Sequence, residues 1–428
     1  MLKEKVENLK VSDNLIILSR KQNDIVIGNS KDFRPLHIQN GDIFLKQLNH
    51  IENNGPNSLE PEWLELLRSN EILVIKDKEL KKPPIGTATC CGTIGEHTLI
   101  LPLTKTVKKD LYERSLCYIL GILKENDILT IKFYGLDPVL SWDILENITN
   151  LIETKLAKQR PDILLKYHLD SRLDELNPDM LKWLKNNDVT FSIFFPMPKG
   201  CNEAEQHTNI IESNIEKLSA TYTQASLITP VTKYNVNQLE QIIEKHLNLN
   251  STWGVELPVL PNPNHGWDYC TEKELPNPDD YSQALLNIYK AAITDDDLFY
   301  PVNELRHRIA NGGYSTCCSC LHGNVTVVAA DGKIYPCTSA LRLKRMCIGN
   351  LESLENDPIE YEKIKEQSVV NRHDWTWHGL CGLHCFLLVD FMQQSGMDDR
   401  ETLIENYFYK PRLKLVEQII WDIVNEKV

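Results

Sequence analysis

The sequence predicts an α/β fold built on a parallel sheet with helices outside it, as an open or partial (β/α) barrel. Three observations carry this. Short apolar runs alternate with amphipathic helical patterns from His97 to about Ala292. A separate group of strand-like runs and helices precedes them and ends in a basic, proline-paired linker from Lys78 to Pro84. A cysteine-rich stretch follows them. The expected organisation is an α+β domain over 1–82, a partial barrel over 88–300, a cysteine-rich domain over 314–410 and a C-terminal helix over 411–428.

In the first domain, Leu15–Leu18, Asp24–Ile27 and Leu36–Ile38 read as short strands separated by turn-forming breaks. Asp42 opens a helical pattern with Ile43, Leu45, Leu48 and Ile51 apolar. A second helix carries Trp63, Leu66 and Leu67, and Ile72–Ile75 returns as a strand. No catalytic constellation lies in this domain.

The barrel strands are expected at Thr98–Leu101, Ile128–Phe133, Ile163–Leu165, Val189–Ile193, Thr221–Ile228 and Trp253–Leu257. Helices are expected at 108–124, 142–158, 177–186, 207–218, 236–246 and 281–292. Ligands of such sheets sit at the C-terminal ends of the strands. A terminal amphipathic helix is expected from Pro411 to Val424.

The chain has 428 residues, 42% hydrophobic and 25% charged, which excludes collagen-like, low-complexity and wholly disordered classes. Its net charge of −14 disfavours a nucleic-acid partner, since phosphate neutralisation needs the opposite excess. No apolar stretch approaches the roughly 20 residues a bilayer demands, so no membrane partner is expected. The N-terminal residues lack a signal-peptide core, and the expected location is cytoplasmic. There is no G-x-x-x-x-G-K-[ST], nucleophile elbow or H-E-x-x-H.

The cysteines number 12. Cys117, Cys201 and Cys270 are isolated and Cys90–Cys91 is a pair, whereas Cys317, Cys318, Cys320, Cys337, Cys347, Cys381 and Cys385 crowd toward the C-terminus. Clustered thiols in a reducing compartment point to zinc or iron–sulfur ligation rather than disulfides. Asp331–Gly332 reads as a hairpin turn between Val325–Val328 and Lys333–Tyr335, returning Cys337 toward 317–320.

These residues resemble a known family. Cys320, Asp331-Gly332-Lys333-Ile334-Tyr335-Pro336-Cys337, Gly349-Asn350 and the tail Cys381…Cys385 resemble the SPASM domain of radical-SAM peptide maturases. The family tail has two further cysteines, where this chain has Arg372 and Trp375. The resemblance implies one [4Fe–4S] cluster on Cys320, Cys337, Cys385 and one of Cys317 or Cys318, with Cys381 beside them; zinc on the same thiols is the alternative.

Phe133-Tyr134-Gly135-Leu136-Asp137-Pro138 stands where the family has F-x-G-G-E-P, a motif that helps hold S-adenosylmethionine. The resemblance therefore implies Gly135 and Asp137 as cofactor-binding residues; the alternative is a tight turn and a helix N-cap. The family's C-x3-C-x2-C is missing: the loop after Thr98–Leu101 reads Pro102-Leu103-Thr104-Lys105-Thr106-Val107-Lys108-Lys109. Use of S-adenosylmethionine is accordingly not expected. Residues 14–76 resemble, in pattern alone, the winged-helix-like peptide-recognition element of such maturases, where a leader peptide adds as a strand.

The expected function is that of a radical-SAM-like pseudoenzyme of ribosomal peptide modification. It would bind a precursor peptide and present it to a separate modifying enzyme. The alternatives are an active maturase using the auxiliary cluster, and a zinc-bearing structural subunit. No catalytic residue is assigned.

Overall fold

The computed structural model describes residues 9–11, 15–29, 35–54, 72–75, 95–194, 204–219, 224–248, 252–257, 275–291, 323–342, 344–353 and 405–426, with single residues between them. Near the N-terminus, β2 (Leu15–Lys21), β3 (Asp24–Asn29) and β4 (Leu36–Ile38) form an antiparallel sheet in that order. Helix α1 (Gly41–Asn54) lays Phe44, Leu48 and Ile51 on Ile25, Ile27 and Ile38. That stripe has helical spacing. Ile43, expected on the same face, stands about 100° away from Phe44 around the helix and is 59% exposed. Of the second helix, only Leu67 among the apolar residues named above is described, and it is buried in this core. β1 (Leu9–Val11) pairs antiparallel with β5 (Leu73–Ile75), a pairing its short, mixed sequence does not announce.

The main sheet has nine strands, in the order β11-β10-β9-β8-β7-β6-β12-β13-β14. From β6 (Glu96–Leu103) through β7 (Ile128–Gly135), β8 (Leu164–Ser171), β9 (Val189–Phe194) and β10 (Gln224–Pro230) to β11 (Thr252–Glu256), all neighbours are parallel. The connecting helices are α2 (Lys109–Ile122), α3 (Trp142–Gln159), α4 (Pro178–Asn186), α5 (Ala204–Ser219) and α6 (Leu239–Asn248). Chain order and spatial order coincide, so each βα unit lies beside the last, as crossover geometry favours. The helices bury one face: Leu116, Ile119, Ile148, Ile152, Leu184 and Ile215 meet Leu129, Ile131, Phe133, Leu169, Phe191 and Ile193 in a single core.

The hairpin expected at Asp331–Gly332 is present. β12 (Val325–Val328) and β13 (Lys333–Tyr335) pair antiparallel, with Gly332 at φ 82. β12 also runs parallel to β6, and β14 (Gly349–Asn350) pairs with β13, so this hairpin continues the main sheet. Helix α7 (Pro278–Ala291) packs on the terminal helix α8 (Lys410–Glu426), where the Tyr289 hydroxyl donates to Asp422 at 2.8 Å. From α8, the Trp421 indole N–H donates to the Ser19 hydroxyl at 2.8 Å, and its ring meets His37 edge-on at 5.5 Å. The N-terminal sheet is thereby keyed to the last helix. Among the described residues, no helix is long and apolar enough to cross a membrane.

Candidate functional site

The C-terminal ends of β6 and β7 bring together the loop and the motif that the sequence singled out. After Leu103 the chain turns through Thr104 and Thr106, whose hydroxyls lie 2.9 Å apart, while the Thr106 N–H donates to the Thr104 hydroxyl at 3.1 Å. The Tyr112 hydroxyl, from the first turn of α2, donates to the Pro102 carbonyl at 2.8 Å and anchors the strand end. Burial pushes that phenol up to about 12. The loop thus closes on hydroxyls and a tyrosine. Residues 104–108 supply no soft ligand, so they do not fit an iron–sulfur cluster.

Gly135 ends β7 at φ 110, a conformation open essentially to glycine. A Cβ there would stand 2.9 Å from the Leu103 carbonyl oxygen, which also accepts the Leu136 N–H at 2.9 Å. Asp137 follows. Its Oδ1 accepts the Val139 N–H at 2.9 Å and the Ser171 hydroxyl at 2.9 Å; its Oδ2 accepts the Arg172 N–H at 2.9 Å. Burial pushes this carboxyl above the usual carboxylate range, and those hydrogen bonds pull the other way. Asp137 therefore ties the end of β7 to the end of β8. It is not the N-cap of α3, as the alternative reading expected: Ser141 holds that place. Its oxygens are already engaged by the protein's own donors.

Of the expected metal ligands, Cys317, Cys318, Cys320, Cys381 and Cys385 lie outside the described residues, as do Arg372 and Trp375. Cys337 is described, half-buried just beyond β13, against an apolar cluster with Ile100, Ile334, Tyr335 and Met346. Cys347 shares that cluster, and its thiol donates to the Gly349 carbonyl at 3.2 Å. Among the described residues, no three His, Cys, Asp or Glu side chains converge as a metal site.

The reading of apolar runs missed a constellation on the other face of the sheet. Beyond Leu165, β8 continues as Lys166-Tyr167-His168-Leu169-Asp170-Ser171, with Tyr167, Leu169 and Ser171 buried toward the helices. His168 and Asp170 point the opposite way. Across the strands, Lys132 pairs in register with His168, His168 with Thr190, Asp170 with Ser192, and Ser192 with Ser226. The His168 Nδ1 lies 2.7 Å from the Thr190 hydroxyl, and its Nε2 lies 3.0 Å from both Asp170 Oδ1 and the Ser192 hydroxyl. Ser192 and Asp170 meet the same imidazole nitrogen, so this is not a Ser-His-Asp relay, which needs them on opposite nitrogens. The usable signal was alternation. A parallel sheet covered on both faces is apolar throughout, whereas these strands alternate polar and apolar residues.

No protein-family model matches the sequence, and no curated protein matches it. The α/β fold with its nine-stranded, mostly parallel sheet does match solved structures of radical-SAM enzymes. Native anSMEcpe with bound AdoMet aligns with a TM-score of 0.57 at 15% identity, covering 76% of this chain and 99% of that one. Native anSMEcpe with bound AdoMet and Cp18Cys peptide gives 0.56 at 16% identity, over 76% and 99%. Streptococcus suis SuiB bound to precursor peptide SuiA gives 0.46 at 11% identity, over 94% and 98%. At these identities the likeness to the two anSMEcpe structures shows the fold.

Proposed function

We propose that the chain is a radical-SAM/SPASM-type protein that binds a precursor peptide and presents it to a separate modifying enzyme, without cleaving S-adenosylmethionine itself. The observation that carries this is the loop after β6. In the proposed lineage, thiolates at this place hold the catalytic cluster, and here Thr104, Thr106 and Tyr112 occupy it. No C-x3-C-x2-C occurs in the whole sequence. Gly135 and Asp137 keep the position of a cofactor motif, with Asp137 engaged by Ser171 and Arg172.

A peptide partner is supported by the fold likeness to a peptide-bound structure and by β4, whose outer edge pairs with no described strand. A leader adding along Leu36–Ile38 would gain main-chain hydrogen bonds there. The C-terminal thiols, Cys337 with Cys317, Cys318, Cys320, Cys381 and Cys385, are proposed to hold one [4Fe–4S] cluster or one zinc ion, as a structural centre.

Anaerobic incubation of the reconstituted full chain with reductant and S-adenosylmethionine tests the central point. No 5′-deoxyadenosine should form above the protein-free control, while short peptides encoded beside the gene should bind the same preparation saturably. Turnover to 5′-deoxyadenosine overturns the reading.

A further inference from the structure

The three-stranded sheet near the N-terminus is covered on both faces, by helices from opposite ends of the chain. Ile25, Ile27 and Ile38 face α1. Val26 and His37, register partners that alternate with them, face α8. Val26 joins, with Leu18, the core that also holds Ile420 and Val424, and His37 meets the Trp421 ring. Strand addition is then left to the edges, and the two are unequal. The pairing of β2 with β3 shifts register between Ile17 and Ser19, and such a bulge bends an edge against a further strand. β4 pairs with β3 in unbroken register from Leu36 to Ile38.

β4 has 3 residues, and an edge strand of that length is among the first elements to open. Its side chains decide how often it is in place. Leu36 and Ile38 are held by the core under α1. His37 is held from two sides. Its Nε2 lies 3.1 Å from Asp24 Oδ2, while Asp24 Oδ1 accepts the Asn40 N–H at 3.1 Å, just beyond the end of β4. Its ring meets Trp421 at 5.5 Å and 79°, edge to face. Trp421 is fixed in turn from β2, where its indole N–H donates to the Ser19 hydroxyl at 2.8 Å and the Lys21 ammonium stands 5.8 Å from the ring centre. One indole from the last helix thus spans the sheet from β2 to β4.

Resting on leader binding at β4, we propose that Trp421 is a positioning residue for peptide recognition. It holds His37, and with it β4, in the paired form to which a leader strand adds, so the recognition site is built from both ends of the chain. A leader adds only where β4 is already paired, so its apparent affinity falls with the fraction of β4 in place. By linkage, a leader on β4 tightens the hold of α8 on the sheet by the same factor.

The test is made on the full chain with two readouts. One is hydrogen exchange of the β4 and α8 amides. The other is affinity for the synthetic leader region of the short peptide encoded beside the gene, with a scrambled leader as control. Trp421→Leu keeps an apolar side chain and removes the ring. It should speed β4 exchange about fivefold, the scale of one aromatic pair, and weaken leader binding about two- to fivefold. His37→Ala should do at least as much, and adding Trp421→Leu to it should cost little more. Ser19→Ala, which removes only the indole's acceptor, should act in the same direction and serves where Trp421→Leu unfolds. Tyr289→Phe removes the 2.8 Å bond to Asp422 on the α7 side of α8, and should leave β4 exchange and leader affinity unchanged. Saturating leader should slow exchange around Trp421 in the wild type and not in His37→Ala.

Unchanged β4 exchange or unchanged leader affinity in Trp421→Leu and Ser19→Ala overturns the assignment. So do additive losses in the double variant, or an equal loss of affinity in Tyr289→Phe. A wild-type chain that binds leader and scrambled leader alike refutes the proposed function instead, and the exchange rates still decide whether Trp421 holds β4.

Discussion

Replacing Gly135 by alanine separates a glycine kept for the fold from one kept for a ligand. At φ 110 an alanine leaves every basin that L-residues favour, a cost of about 1–3 kcal/mol. Its Cβ would also stand 2.9 Å from the Leu103 carbonyl oxygen. That oxygen accepts the Leu136 N–H at 2.9 Å, so relieving the clash stretches a bond that joins the ends of β6 and β7. Losing it adds about 1 kcal/mol. Together Gly135→Ala should cost about 2–4 kcal/mol with no ligand present. Equilibrium urea unfolding would show this as a lowered midpoint, by that energy divided by the slope measured for the wild-type chain. Gly121→Ala is the control: it lies within helix α2, where an added Cβ would meet nothing within 4 Å, and should stabilise by about 0.5–1 kcal/mol. If Gly135→Ala unfolds within about 0.5 kcal/mol of wild type, the turn is not strained, and the glycine is there to let a ligand approach.

Trp421→Phe removes the donor to the buried Ser19 hydroxyl, so the N-terminal sheet should lose about 1–2 kcal/mol of protection in hydrogen exchange, while the core of the main sheet keeps its own. Tyr112 stays neutral in the fold up to about 12, above the phenol's ordinary value. Its folded pKa is the higher one, so its contribution is complete below about pH 10 and is lost as pH climbs toward 12. Tyr112→Phe should flatten that part of the alkaline stability curve, followed by tyrosinate absorbance and circular dichroism together. Cys337→Ser should reduce iron or zinc content per chain and loosen the region around Ile334 and Met346, whereas Cys117→Ser, on the exposed side of α2, should change neither.

Periodicity alone determined the α/β class, the alternation of strands and helices along the main sheet, and the hairpin at Asp331–Gly332, because these depend on local spacing and on turn residues. The absence of thiolates from the loop after β6 was equally plain in the sequence. Tertiary structure decided the rest. That β12 joins β6, and so carries the hairpin onto the main sheet, depends on pairing between residues such as Val325 and Thr98, far apart along the chain, which no local pattern encodes. Trp421 reaching Ser19 is likewise a contact between the two ends of the chain. For Asp137 the alternative to a cofactor-binding residue was a helix cap, because a helix follows it, yet parallel pairing with β7 sets the end of β8 beside it, and Ser171 and Arg172 take its oxygens. Lys132, His168 and Asp170 were visible as letters, but they became one surface only when adjacent parallel strands placed them in register, with the helices covering the opposite face.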